Sequence, residues 1–516
     1  MNLPSLNLII VSPELILVSG ILIILLCNKI QLFNKYISAI TTLILLSVYI
    51  VQIILSETIH NQHISQLAFN NMFILDALAQ GFKTILNLFT VMIMFYIKEY
   101  LANRKTQLLE FYVLFLFAIL GMMIMISANH MIVLYLGLEM LSLALYALIV
   151  LPSKQEINPD THQIINYPIN ENAAESAMKL FILGSLASAI LLFGISFIYG
   201  ATNGQLQLNL IMQAITQDQQ NTNLILLSIG LVFIVIALAF KFGLAPFHAW
   251  LPDVYQGSSL AVTTIIATIT KLAVIVFIIR FLINGLMPLV IYWSTMLMVL
   301  AILSLFIGNI LAISQTNIKR MLAYSAIAHM GFIALGFINL DANALNAILN
   351  YTIVYVFTNL MIFAILLLLS NTNYECENIQ DLRVLSKNHP IYAIILLIAI
   401  FSLAGIPPLV GFYAKLTILQ HLIHIGYNKL AIFAVIMSLI GTFYYLRIIK
   451  VMYFDNNNLA NIQINSTDNS IKQLNNNKYN IGIATKIILT INITMIIATS
   501  IFPNLLLTFC MKLITN

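Results

Sequence analysis

Five ionisable side chains stand where the surrounding sequence is apolar. Lys179, Lys241, Lys271 and Lys415 lie well inside long apolar runs, and Glu139 lies inside another, Leu136-Gly137-Leu138-Glu139-Met140-Leu141. A charged side chain at the centre of a bilayer costs about 2.5–3.5 kcal/mol on insertion scales, so such residues ordinarily line a hydrated interior path. Burial without a counter-ion drives an ammonium towards its neutral amine. A group poised between those two forms can accept and release a proton. The plainer reading is a structural ion pair in which Glu139 and one lysine lock two helices together. That pair would leave three of the four cations without a partner, so a proton relay is the stronger reading. His329, in Ala326-Ile327-Ala328-His329-Met330-Gly331, titrates in a range that suits the same traffic. His248 extends the series, although a lone histidine in a helix is often only a satisfied core residue. Tyr324 and Ser325 are secondary candidates for holding bridging water. Lys83 lies alone inside another apolar run, and Lys486 sits near a helix start, where it can snorkel to the membrane surface.

The elements that must hold these groups follow from composition. Of 516 residues, 61% are hydrophobic and only 8% charged, with mean hydropathy +0.98. A soluble domain carries about 25% charged residues, so the solvent of this chain is lipid. At about 20 apolar residues per span, roughly fourteen helices are expected. They fall near 6–27, 36–56, 72–97, 108–127, 130–151, 174–200, 223–248, 256–283, 287–313, 318–338, 344–370, 390–424, 429–453 and 482–511. The net charge of +5 is scattered between apolar runs and is no nucleic-acid footprint. Cys27, Cys376 and Cys510 form no CxxC pair, so iron–sulfur or zinc ligation is not expected. There is no phosphate-binding loop, no dinucleotide fingerprint and no arginine-rich leader. Abundant Ile and Asn suggest an AT-rich genome, as in an organelle or a reduced bacterium. No loop is long enough to house a catalytic domain, so any function must sit in the bilayer.

Lys and Arg are distributed unevenly over the loops. Fourteen flank the loops after odd-numbered helices, including Lys98, Arg104, Lys319, Arg320, Arg383 and Arg447, against three, Arg280, Lys429 and Lys512, on the other side. By the positive-inside rule the odd loops face the cytoplasm or matrix and both termini face outward.

Two spans contain helix-breaking residues beside a lysine. In the seventh, Lys241-Phe242-Gly243-Leu244-Ala245-Pro246 places the lysine before Pro246; in the twelfth, Gly405-Ile406-Pro407-Pro408 precedes Lys415. These two helices cross the membrane in opposite directions. Interrupted helices at corresponding places in two inverted halves point to a transporter's site, because freed backbone groups must be satisfied by protein or water. The expected fold is therefore an all-α polytopic membrane protein of about 14 transmembrane helices, with two inverted five-helix repeats, helices four to eight and nine to thirteen. The expected divisions are an N-terminal three-helix segment at 1–105, the first repeat at 106–285, the second at 286–453, and a polar Asn-rich loop with the last helix at 454–516.

From about residue 70 to residue 450 the chain resembles the antiporter-like membrane subunits of respiratory complex I, on the subunit 2 or subunit N branch. The carriers are Gly137–Tyr146, Glu175–Ser185, Phe240–Gly257 and Gln315–Ser325, with Pro252-Asp253-Val254-Tyr255-Gln256-Gly257 favouring that branch. The loop Leu151–Asn172 looks longer and more polar than the family's. The resemblance implies a proton-translocating membrane-arm subunit with no redox centre of its own. It also implies that Glu139, Lys241, Lys271 and Lys415 form the family's charged axis, and that Lys179 matches the lysine of the family's sixth helix. NADH, FMN, iron–sulfur clusters and ubiquinone would belong to other subunits, and no metal or cofactor would bind here. The implied partners are neighbouring antiporter-like subunits, the small core membrane subunits and the lipid bilayer, with no nucleic acid. The implied location is the mitochondrial inner membrane, with a bacterial plasma membrane as the alternative. A stand-alone or Mrp-type cation/proton antiporter is the competing function.

Overall fold

The structure, a computed structural model, describes residues 7–27, 36–62, 65–104, 108–151, 155–157, 164–166, 171–217, 223–370, 375–383, 385–455 and 482–515. The Asn-rich stretch at 456–481 and most of the loop at 151–172 lie outside the described residues. Helices dominate, each over an apolar run. Among the described residues, eleven helices are long and apolar enough to cross a membrane. The other expected spans are also helical but do not qualify by length and hydropathy alone. Ser12–Cys27 has 16 residues, the two halves of the twelfth span have 15 each, and Ile318–Leu335 carries Lys319, Arg320 and His329. A bilayer core needs about 20 residues, so the count of fourteen crossings is not carried by those two properties.

The eighth span, Leu260–Gly285, and the eleventh, Ala342–Leu369, are buried along their whole apolar windows, while the others present part of theirs outward. These two therefore form the centre of the bundle, and the other spans stand between them and the lipid. Neighbouring spans approach closely at glycine. A side chain on Gly121 of the fourth helix, Leu109–Ser127, would meet Gly137 O of the fifth, Met131–Val150, and one on Gly137 would meet Gly121 O. The ninth helix, Val290–Ile313, meets the tenth, Ile318–Leu335, in the same way at Gly308 and Gly331. Small residues at such crossings let backbones pack directly where lipid supplies no hydrophobic drive.

Two ion pairs, one buried and one part-buried, tie elements together outside the expected axis. Lys83 is not alone: it is paired with Glu14 of the first helix, and both are buried. Glu14 sits within the first turn of its helix and is a second intramembrane acid that the count of one carboxylate overlooks. Arg280 binds Asp76 through both terminal nitrogens, at 2.7 and 2.6 Å, and its Nε donates to Ile126 O at 3.2 Å. The polar segment after the sixth helix also has structure of its own. It forms a short helix, Leu208–Gln217, which buries Leu208, Ile211 and Ile215.

Candidate functional site

Both lysine-bearing breaks end a helix in the same way. The first half of the seventh helix, Leu224–Phe242, stops at Gly243, and the first half of the twelfth, Pro390–Ala404, stops at Gly405. These glycines have φ of +82° and +81°, the left-handed region where a side chain is strained. Gly243 N donates to Ala239 O and Phe240 O, and Gly405 N donates to Phe401 O and Ser402 O. One residue on, Leu244 N returns to Ala239 O, and Ile406 N returns to Phe401 O. Freed backbone amides beyond each break are taken by serine hydroxyls of distant helices: Ala245 N by Ser304 Oγ at 2.8 Å and Val410 N by Ser500 Oγ at 2.9 Å.

The carbonyl just before each glycine is taken by a lysine. Lys271 Nζ donates to Phe242 O at 3.2 Å, and Lys415 Nζ donates to Ala404 O at 2.9 Å. At the first break the lysine comes from the neighbouring eighth span; at the second it comes from the far half of the same helix, Val410–His424. Protein groups, rather than water alone, therefore satisfy the broken ends. Trp250 Nε1 adds a bond to Phe240 O at 3.0 Å, and the Trp250 ring lies 6.0 Å from Lys271 Nζ.

Lys241, two residues before Gly243, donates to Ser142 Oγ of the fifth helix at 2.9 Å. Glu139 lies one turn away on that helix, and among the described residues no ion pair within 4.0 Å includes it. Its Oε1 is buried without a hydrogen-bond partner. The locked Glu139–lysine pair of the plainer reading is therefore not what these residues form. Glu139 also shares a helical face with Ile132, Leu136 and Leu143, which are 40%, 57% and 57% exposed. The carboxylate thus stands at the rim of the bundle.

The eighth span is interrupted too, which its sequence was not read to show. Thr268 leaves helical geometry at φ −117° and ψ −87°, three residues before Lys271. Neither Gly nor Pro stands there. The signal was a run of branched side chains from Val262 to Thr270, whose threonine hydroxyls bond back to the preceding turn: Thr264 to Leu260 O, and Thr270 to Ile266 O.

His329 has the most elaborate surroundings. Its Nδ1 lies 2.7 Å from Tyr351 Oη and its Nε2 lies 3.0 Å from Tyr445 Oη, which in turn bonds Ser325 Oγ. A small cavity with room for about one water is lined by both His329 and Lys415, together with Tyr444 and Tyr445. The hydroxyls that reach the imidazole are thus those of Tyr351 and Tyr445, not Tyr324. His248 lies within the first break, and its Nδ1 is buried without a partner among the described residues. Lys179 is a correction. It is 42% exposed and lies between Glu175, at 2.6 Å, and Asp253, at 2.8 Å, which also binds Arg320 at 2.7 Å. The claim that three lysines would stay unpaired fails for this one, because Asp253 is 74 residues away in sequence and the fold brings it there.

A charge cluster missed by the sequence reading lies near Asp253. Glu375 binds Arg104 at 3.1 Å and Lys319 at 3.6 Å, and accepts from Leu260 N, at the start of the eighth span, at 2.8 Å. Burial alone would raise the Glu375 carboxyl, but Lys319 and Arg104 hold it below the usual carboxylate range. A lowered carboxyl stabilises the fold above about pH 4 and loses that contribution as pH falls through its folded value. Glu375→Gln is expected to cost on the order of 3 kcal/mol, since it strips buried cations of a carboxylate. Thermal melting of the purified protein from pH 7 down to pH 3 checks this: the gap between wild type and variant should be full at pH 7 and shrink as pH falls below about 4.

The chain is similar to proteins of known kind. Residues 128–441, more than half its length, match the family described as NADH:quinone oxidoreductase/Mrp antiporter, transmembrane. It is 43% identical to NADH-quinone oxidoreductase subunit N of Laribacter hongkongensis, over 86% of this chain and 85% of the relative. With the protein of that name from Methylovorus glucosotrophus it shares 41% identity, over 89% and 88%. A chain of respiratory complex I from Thermus thermophilus with bound aureothin superimposes with TM-score 0.74 at 26% identity, covering 96% of this chain and 98% of that one. A chain of the Mrp complex from Dietzia sp. DQ12-45-1b shares the fold, with TM-score 0.79 at 18% identity and coverage of 98% and 97%. The chain belongs to the NADH:quinone oxidoreductase/Mrp antiporter transmembrane family, on its subunit N branch.

Proposed function

We propose that this chain is the antiporter-like membrane-arm subunit of complex I that moves protons while NADH oxidation and quinone reduction proceed in other subunits. The observation that carries the reading is the pair of broken helices, each with a lysine ammonium on the carbonyl before its left-handed glycine. A lysine in that place donates to one neutral carbonyl and, among the described residues, has no counter-ion within 4.0 Å, so releasing its proton breaks no ion pair. The matching caps support two inverted repeats, 106–285 and 286–453, related through those breaks.

In this reading Lys241 takes a proton through a hydrated path at its break. Glu139 acts on it from the rim: an approaching carboxylate holds the proton on the lysine, and a receding one lets it leave. A carboxylate on an otherwise apolar outer face suits contact with a neighbouring subunit, which would carry the stroke from the quinone site. The proton, or an equivalent charge shift, passes through Lys271 and His329 to Lys415. Lys179 serves at the rim as an anchor of Asp253 and not as a relay. No redox group takes part in this chain, and among the described residues no group of three His, Cys, Asp or Glu is placed to hold a metal ion. The excess of basic residues after odd helices supports outward-facing termini in an energy-coupling membrane. Its bacterial relatives suit a plasma membrane; its composition suits an organelle.

Replacing Lys271 with alanine in a bacterial relative tests the proposal. Assembly and NADH-driven quinone reduction at low membrane potential should persist, while proton uptake into vesicles falls severalfold. Unchanged uptake would refute the relay. Activity as an ion antiporter without the rest of the complex would instead favour the Mrp-type reading, since the Mrp chain shares this fold.

A further inference from the structure

A second site lies away from the proton row, where the end of the eleventh helix meets the starts of the twelfth and fourteenth. There a cavity of about 450 Å³ opens at the side of the bundle, within the size range of ligand pockets. Its walls are apolar: Leu368, Ile391, Ile395 and Leu489. Its polar groups include Lys486, His389 and Thr490. His389 and Asn388 also line a smaller adjoining cavity that contains Arg383 and Asp381. Asp381 is already engaged, accepting from Glu377 N and Asn378 N at 3.1 and 2.7 Å. Arg383 Nε, in contrast, is buried with no hydrogen-bond partner among the described residues.

We infer that this cavity binds the headgroup of an anionic phospholipid. Three spans begin or end here, so the cavity sits at headgroup depth. Lys486 and Arg383 supply positive charge, which attracts an anionic headgroup by about 1 kcal/mol per basic residue near the surface. The helix Pro390–Ala404 starts at the cavity wall, and the side chain of its N-cap residue His389 makes no capping bond to it. That adds the positive end of a helix to the two cations. Acyl chains have a surface to follow, because Ile391, Ile394, Ile483 and Ile487 are 70%, 53%, 78% and 53% exposed. With an exposed Lys486 at its mouth and Arg383 in the cavity beside it, an apolar wall fits an amphiphile with a negative head better than a soluble anion or a neutral lipid. The bound lipid would join the eleventh, twelfth and fourteenth helices, next to the half of the twelfth that ends at Gly405.

Native mass spectrometry of the full complex, exchanged into nanodiscs of phosphatidylglycerol or of phosphatidylcholine, tests the site. Wild type should retain a phosphatidylglycerol that Lys486→Glu loses, with retention falling about fivefold for each cation removed. Lys486→Arg should restore it, and Leu489→Trp should exclude it by filling the cavity. Lys486 is exposed, so its variants should assemble as wild type does. Equal retention in wild type and Lys486→Glu would overturn the proposal, as would equal retention of phosphatidylcholine. Displacement of the lipid by inorganic phosphate would overturn it in favour of a free-anion site.

Discussion

Lys241→Ala is expected to lower proton transfer through this subunit by about a hundredfold, the lower range of what a positioned proton-transfer group contributes. The variant should still assemble. Lys241 makes one hydrogen bond, to Ser142 Oγ, and no ion pair within 4.0 Å among the described residues, so its removal strands no carboxylate. The companion change Ser142→Ala removes only that bond, about 1 kcal/mol net, and should slow transfer by less than tenfold. Glu139→Gln should fall between them, because it keeps the shape and removes the charge that tunes the lysine. All three can be read from dye quenching in vesicles driven by NADH, with quinone reduction measured beside it. Wild-type quenching by an assembled Lys241→Ala complex would end the assignment of this lysine as the entry group.

His329→Gln is the second large expected effect. The imidazole bonds Tyr351 and Tyr445 and shares a cavity with Lys415, and in the proposed relay it hands charge on to that lysine. Glutamine can keep a hydrogen bond but cannot pass a proton in from one side and out on the other, as two ring nitrogens can. Pumping should fall as far as in Lys415→Ala. Tyr445→Phe and Tyr351→Phe each remove about 1 kcal/mol of hydrogen bonding and should reduce pumping only severalfold. If His329→Gln pumps normally, the row is broken at this point and charge must cross elsewhere. If the tyrosine variants are as inactive as His329→Gln, the network holds the fold and not the proton, and thermal melting would show it.

The positions of the helices were largely legible along the chain. Hydropathy, and the conformational demands of Gly243, Pro246, Gly405 and Pro407, act on a few neighbouring residues, so they can be read locally. The break in the eighth span has no such local mark, because branched threonines bend a helix less plainly than proline does. Lys83 and Lys179 looked unpaired for a different reason: Glu14 and Asp253 lie 69 and 74 residues away. Nothing local distinguishes an acid that will meet a lysine from one that will not.

The same distance rule separates what the amino-acid order determined from what the tertiary structure decided. Apolar runs made this a membrane protein, and glycine and proline placed two breaks beside two lysines. Which lysine holds each broken carbonyl was decided by packing, and so were Glu139's place at the rim and the tyrosines around His329. Lys241 meets Ser142 across 99 residues, His329 meets Tyr445 across 116, and Arg280 meets Asp76 across 204. Local order sets the backbone of each helix, but a hydrogen bond between helices exists only once burial has fixed which faces meet.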